Sequence, residues 1–222
     1  MLEQMAAEGN GALAAELQRM AARAQHIVPE LVGLSFGVLD DGLTFTLEAS
    51  DADAAEIDTV QYLDGGPCLA GAHDGEVLEV AVGDITDEHA WHMFARITAA
   101  KGIGSSLTLP VEIHGDTLGS INLYASTSDA FTGRHEALAG ALGASALDAI
   151  ANADLTFSTR LEAQLAPERY ADQDDIDIAI GVICTLQKVD STLARERLRM
   201  AAARAGITEG QAARALRHTY IE

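Results

Sequence analysis

The sequence is poor in the residues that build covalent frameworks and in those that bind polyanions. It holds two cysteines, Cys68 and Cys184, far apart in 222 residues, which excludes a disulfide scaffold. Lysine and arginine number 14 against 34 aspartates and glutamates, a formal net charge of -20, so no broad basic surface exists to meet a nucleic acid. No run approaches the roughly 20 apolar residues that a membrane helix needs. The opening MLEQMAAEGNGALAAELQRM lacks the basic stretch and apolar core of a secretory leader. With only 4 prolines and a hydrophobic share of 48%, the chain is globular rather than disordered. We expect a reduced, cytoplasmic protein with no membrane or DNA partner.

What is present falls into two parts. Residues 1–169 hold 7 Lys and Arg against 26 Asp and Glu, whereas residues 170–222 hold 7 against 8. Within the second part Arg195, Arg197, Arg199 and Arg204 gather in ten residues, the one place where a local cationic patch can form.

Hydrophobic spacing gives the elements. Leu13, Leu17, Met20, Ala24 and Ile27 recur at threes and fours, predicting a helix over 2–27 that Pro29 ends. Alternating runs predict strands at 31–39 and 43–49 around Asp40-Asp41-Gly42, a third at 76–82, and a pair at 105–113 and 117–125 around His114-Gly115-Asp116. A helical pattern containing Trp91, Phe94 and Ile97 closes at Gly102, and an Ala- and Leu-rich helix is predicted from Thr132 to about Ala166. After Pro167 the pattern is purely helical. Ile176, Ala179, Ile180 and Ile183 mark one helix, Asp190 or Ser191 caps a second that runs to Gly206, and Thr208 with Gln211 forms a capping box for a third. The fold class is α+β: an antiparallel sheet flanked by helices over 1–166, then a three-helix bundle over 167–222.

The segments DTVQYLDGGPCLAGAHDGEVLEV, KGIGSSLTLPVEIHGDTLGSINLYA and AFTGRHEALAGALGASALDAIANA, with Trp91 between them, resemble a GAF domain of the actinobacterial type. IDIAIGVICTLQ followed by ARERLRMAAARAG resembles an ANTAR domain, a three-helix module that binds nascent RNA hairpins and antagonises transcription terminators. Together they resemble the GAF–ANTAR regulator layout. The resemblance implies a homodimer, with paired bundles on paired hairpins. The amphipathic helices at 2–27 and 132–166 are the expected dimerisation elements, with packing on the chain's own sheet as the alternative. It departs from the family at Ile180, where the family has a lysine, at Arg195, where it has an aromatic residue, at Ala202, where it has Ser or Thr, and at Gly206, where it has Asn.

Candidate site residues follow. On a helical wheel Ala194, Leu198, Ala201 and Ala205 form a buried face, Arg195 and Arg199 lie along one flank, and Arg197 and Arg204 near the other. Lys188, Arg195, Arg199, Arg204 and Arg214 are the expected RNA-binding residues, because arginine's planar fork bonds phosphate oxygens bidentately. A solvated face with Glu196 and Asp190 as local partners is the plainer alternative. Where the GAF resemblance implies a small ligand between sheet and helices, Tyr62, Trp91, Phe94, Ser105, Asn122 and Tyr124 are the expected lining; no ligand or cofactor is named by them. Cys68 has no cationic neighbourhood to activate it, and His89 and His92 have no third ligand nearby, so a buried apolar role and a non-metal role are expected. The functional expectation is a transcriptional regulator that catalyses nothing. Its alternative is a dimeric interaction protein whose ANTAR-like tail does not bind RNA.

Overall fold

The computed structural model describes residues 2–40, 43–84, 91–114, 116–152 and 173–220. Strands β1 (Leu31–Asp40), β2 (Leu43–Ala49), β3 (Leu78–Ala81), β4 (Ser105–Ile113) and β5 (Asp116–Ala125) form one antiparallel sheet ordered β2-β1-β5-β4-β3. Both expected hairpins are there, β1–β2 and β4–β5, and β3 is shorter than the 76–82 anticipated. Helices α1 (Leu2–Ile27), α2 (Ala52–Asp64), α3 (Pro67–Asp74), α4 (His92–Ala100) and α5 (His135–Asn152) surround the sheet. Helices α6 (Gln173–Gln187), α7 (Ser191–Ala205) and α8 (Glu209–Tyr220) make the C-terminal bundle. The 132–166 helix thus begins at His135; its second half, with the expected boundary at 166/167, lies outside the described residues.

Neither α2 nor α3 was expected from the sequence. The Asp51 carboxylate caps α2 by accepting the Ala54 N–H at 2.9 Å, and Gly65, at φ 83°, ends it. Pro67 opens α3 and Gly75, in the left-handed region, closes it. Seven α2 residues from Ala54 to Gln61 are buried, on nearly every side of the helix, so no amphipathic stripe marks it in the sequence.

Alternation along the strands, shifted at bulges near Gly33, Gly37 and Glu112, divides the sheet into an apolar and a polar face. Leu34, Phe36, Leu107, Leu109, Ile121 and Leu123 meet Leu17, Met20 and Ala24 of α1 and Leu138, Leu142 and Ala146 of α5. The opposite face carries Ser35, Thr44, Thr46, Ser106, Thr108, Ser120, Asn122 and Tyr124, all buried. Above it, a second apolar core joins Ile57 and Val60 of α2 and Phe94 and Ile97 of α4 to Ile176, Ile183, Leu198 and Leu216 of the bundle. Each such side chain contributes about 1.5–3 kcal/mol on burial, so the bundle is held to the GAF-like unit by a shared core.

The bundle's caps are those the sequence predicts. The Asp190 carboxylate accepts the Leu193 N–H at 2.9 Å, and Gly206, at φ 71°, ends α7. Thr208 and Gln211 exchange bonds: Thr208 N to Gln211 Oε1 at 2.9 Å and Gln211 N to Thr208 Oγ1 at 3.1 Å.

Candidate functional site

The polar face of the sheet and the buried α2 enclose one hydrogen-bonded network centred on Asp58. Its carboxylate accepts the Tyr124 hydroxyl at 2.6 Å and the Thr46 hydroxyl at 2.8 Å, with the Ser35 hydroxyl also facing it. Tyr62 lies with its hydroxyl 2.8 Å from Thr46 Oγ1. Gln61 donates to the Tyr124 hydroxyl at 3.1 Å and accepts the Cys68 N–H at 2.9 Å. Asn122 extends the network to Ser35 at 3.3 Å and accepts from Ser120 at 3.2 Å. The strands put Ser35 and Thr108 on either side of Asn122 in one row, which is why residues so far apart in sequence converge.

Burial, opposed by the Tyr124, Ser35 and Thr46 hydroxyls, pushes the Asp58 carboxyl above its ordinary range. Burial likewise carries Tyr62 and Tyr124 well above the usual phenol range, with the Asp58 carboxylate adding to it. The Cys68 thiol is pushed up to about 11 by burial and by Asp58, so its nucleophilic thiolate is suppressed. These groups are arranged to hold a fixed polar core. Among the described residues no cluster of three or more His, Cys, Asp or Glu suits a metal ion.

Arg204 joins this network to the bundle. Its Nε donates to the Thr44 carbonyl at 3.0 Å and its guanidinium lies 4.2 Å over the Tyr62 ring. Two further links cross the same junction: Gln187 donates to the Leu63 carbonyl at 2.9 Å, and Arg96 bonds the Thr219 carbonyl at 3.3 Å while stacking 4.5 Å over Tyr220. Beside Arg204 opens a cleft of about 340 Å³, lined by Leu39, Thr44, Leu69, Ala70, Trp91 and the arginine itself.

The expected pocket residues therefore separate. Tyr62, Asn122 and Tyr124 come together around Asp58. Trp91 lines the cleft instead, Phe94 is fully buried in the second core, and Ser105 bonds the Thr127 carbonyl at 2.7 Å, away from the network. Sequence reasoning missed Asp58, Gln61 and Thr46; an aspartate on the same helical face as Ala54 and Ile57 was the available signal. The expected RNA-binding residues also separate. Lys188 and Arg199 are exposed, and Arg195 is exposed with a Glu209 ion pair at 3.6 Å. Arg214 is half-buried, and Arg204 faces the sheet unit. Of the two histidines weighed as a metal pair, His92 opens α4 and His89 lies outside the described residues.

No helix among the described residues is long and apolar enough to cross a membrane. In the comparisons with known proteins, no curated protein matches the chain. Among solved structures, it is similar to a type II free methionine-R-sulfoxide reductase from Thermoplasma acidophilum (13% identity, TM-score 0.47, 65% of this chain and 96% of that one). It is also similar to a domain described as that of a two-component sensor histidine kinase protein from Sinorhizobium meliloti 1021 (15% identity, TM-score 0.46, 64% of this chain and 93% of that one). Likenesses this distant do not bear on what the chain does. The GAF domain model, in contrast, matches residues 14–151, the sheet with α2 to α4, nearly all of α5 and the second half of α1: the chain belongs to the GAF domain family.

Proposed function

We propose that this is a cytoplasmic, non-enzymatic transcriptional regulator in which the GAF domain senses a signal and controls the C-terminal bundle. The bundle, acting in a homodimer, binds hairpins of nascent RNA in antitermination. The observation that carries the reading is the unbroken path from the buried Asp58 network through Tyr62 to Arg204, along which a change in the sensor would reach the bundle. Family membership supports the sensing half. The resemblance of α6 and α7 to an ANTAR module, with Lys188, Arg195 and Arg199 on the solvent side, supports the RNA half. A ligand exerts control here only if it binds the docked and released bundle with different affinity.

The test is a salt titration of the full-length protein on a leader RNA containing two hairpins, beside an unstructured RNA of equal length. Affinity for the hairpins should fall steeply with salt, and Lys188→Ala with Arg199→Ala should reduce both affinity and slope. A folded, dimeric protein that ignores hairpin RNA would replace this reading with a second one, an interaction protein. Ile180 favours that alternative: where the resemblance implies a lysine, the residue is buried in the bundle.

A further inference from the structure

The cleft beside Arg204 has a chemistry of its own. Its lining brings Leu69 and Ala70 of α3 together with Trp91 and with Arg204 of α7. Gly65 lies against the indole of Trp91, and Gly66 has no room for a side chain beside Gln61. Trp91 holds a left-handed backbone, φ 57°, a conformation that bulky residues rarely adopt and that is retained where surrounding structure requires it.

Arg204 is built as a fixed cation rather than as half of an ion pair. It is half-buried, tethered by its Nε to Thr44 and by its plane to Tyr62, and no carboxylate among the described residues pairs with it. Among the described residues, none accepts from its two terminal nitrogens, which carry four N–H groups. Among the described lining residues the one carboxylate is that of Asp74, which is exposed and lies 3.2 Å from His73.

We propose that this interdomain cleft is a binding site for a small organic anion, an aromatic or apolar body carrying one carboxylate or phosphate. The anionic group bonds the Arg204 terminal nitrogens bidentately, and the body lies between Trp91 and the Leu69–Ala70 wall. Because the cation belongs to the bundle and the walls to the GAF domain, such a ligand stabilises the docked arrangement, by an amount that grows with the logarithm of one plus the ratio of ligand concentration to Kd. Only that consequence rests on the sensing reading; the site itself does not.

Trp91 is the sole tryptophan of the chain, so its fluorescence reports the cleft directly. The full-length protein is titrated with benzoate and with phenyl phosphate, and with benzamide as the uncharged counterpart. Either anion should change the emission saturably, benzamide should bind on the order of 10-fold more weakly, and Arg204→Gln should weaken the anions by a similar factor. Response to one anion but not the other identifies the acceptor class. Ala70→Glu, which places a carboxylate in the cleft without touching the Arg204–Tyr62 contact, should abolish the response in a protein with unchanged circular dichroism. A non-saturable change, equal binding of benzamide, or indifference to both substitutions overturns the proposal. The assay contains no RNA, so a failure of hairpin binding leaves its result intact.

Discussion

Arg204 and Tyr62, 142 positions apart in sequence, stack at 4.2 Å across the junction between the bundle and the GAF domain. Tyr62 also reaches inward to Thr46, so one side chain belongs both to the junction and to the buried network. The contact is a cation over an aromatic face in a partly desolvated setting, which is where such pairs are strongest.

A double-mutant cycle should expose that coupling. Arg204→Ala and Tyr62→Ala are each expected to destabilise the protein in urea, and their effects should fall short of additivity by about 1–2 kcal/mol. Additivity within ~0.5 kcal/mol would mean that the stack does not hold the bundle down.

Asp58 makes stability depend on pH in a defined direction. Its pKa is raised in the folded protein, so its contribution is fully present below the unfolded value of about 3.9 and is lost as pH rises through the folded one. Asp58→Asn removes the titration. The stability of the variant minus that of wild type should therefore climb with pH in this window, by at most about 1.4 kcal/mol per pH unit, then level off. A difference that stays flat from acid to neutral pH would show that the buried carboxyl does not titrate as its surroundings dictate.

The two cysteines should differ in reactivity. Cys68 is buried with its thiol pushed up to about 11, whereas Cys184 is only partly buried. At neutral pH iodoacetamide should label Cys184 in the native protein and Cys68 only after denaturation, as read by peptide mass spectrometry. Labelling of Cys68 at a rate comparable to Cys184 would contradict the closed network.

The capping box of α8 offers a local test. Thr208→Ala removes the acceptor of the Gln211 N–H and should cost about 1 kcal/mol, with faster amide exchange confined to the start of α8. Loss of protection spreading to α2 would instead mean that bundle and GAF domain open as a single unit.

The sequence revealed each element in proportion to the contrast between its faces. The β1–β2 and β4–β5 hairpins were legible because Leu34 and Phe36 alternate with Ser35 and Gly37, and Leu107 and Leu109 with Ser106 and Thr108. The bundle was legible through its caps, Asp190, Gly206 and the Thr208–Gln211 pair. Helix α2 was not, because it is buried on nearly all sides and mixes Ile57 with Asp58 and Val60 with Gln61. The candidate site suffered from that omission. Tyr62, Asn122 and Tyr124 were singled out as pocket residues, while the aspartate that organises them lay in an unrecognised helix. Helical geometry placed Arg204 on the side opposite Arg195 and Arg199, but no local pattern discloses that this side meets Tyr62.

The unequal faces of the sheet have a mechanical consequence. On the α1–α5 side, separation would bare leucines and phenylalanine; under α2, it would bare mainly serines, threonines and an asparagine that water can satisfy. The interface beneath α2 therefore resists opening less through hydrophobic burial than through the bonds that Asp58 makes to Tyr124 and Thr46, so polar contacts decide there what leucines decide on the other face.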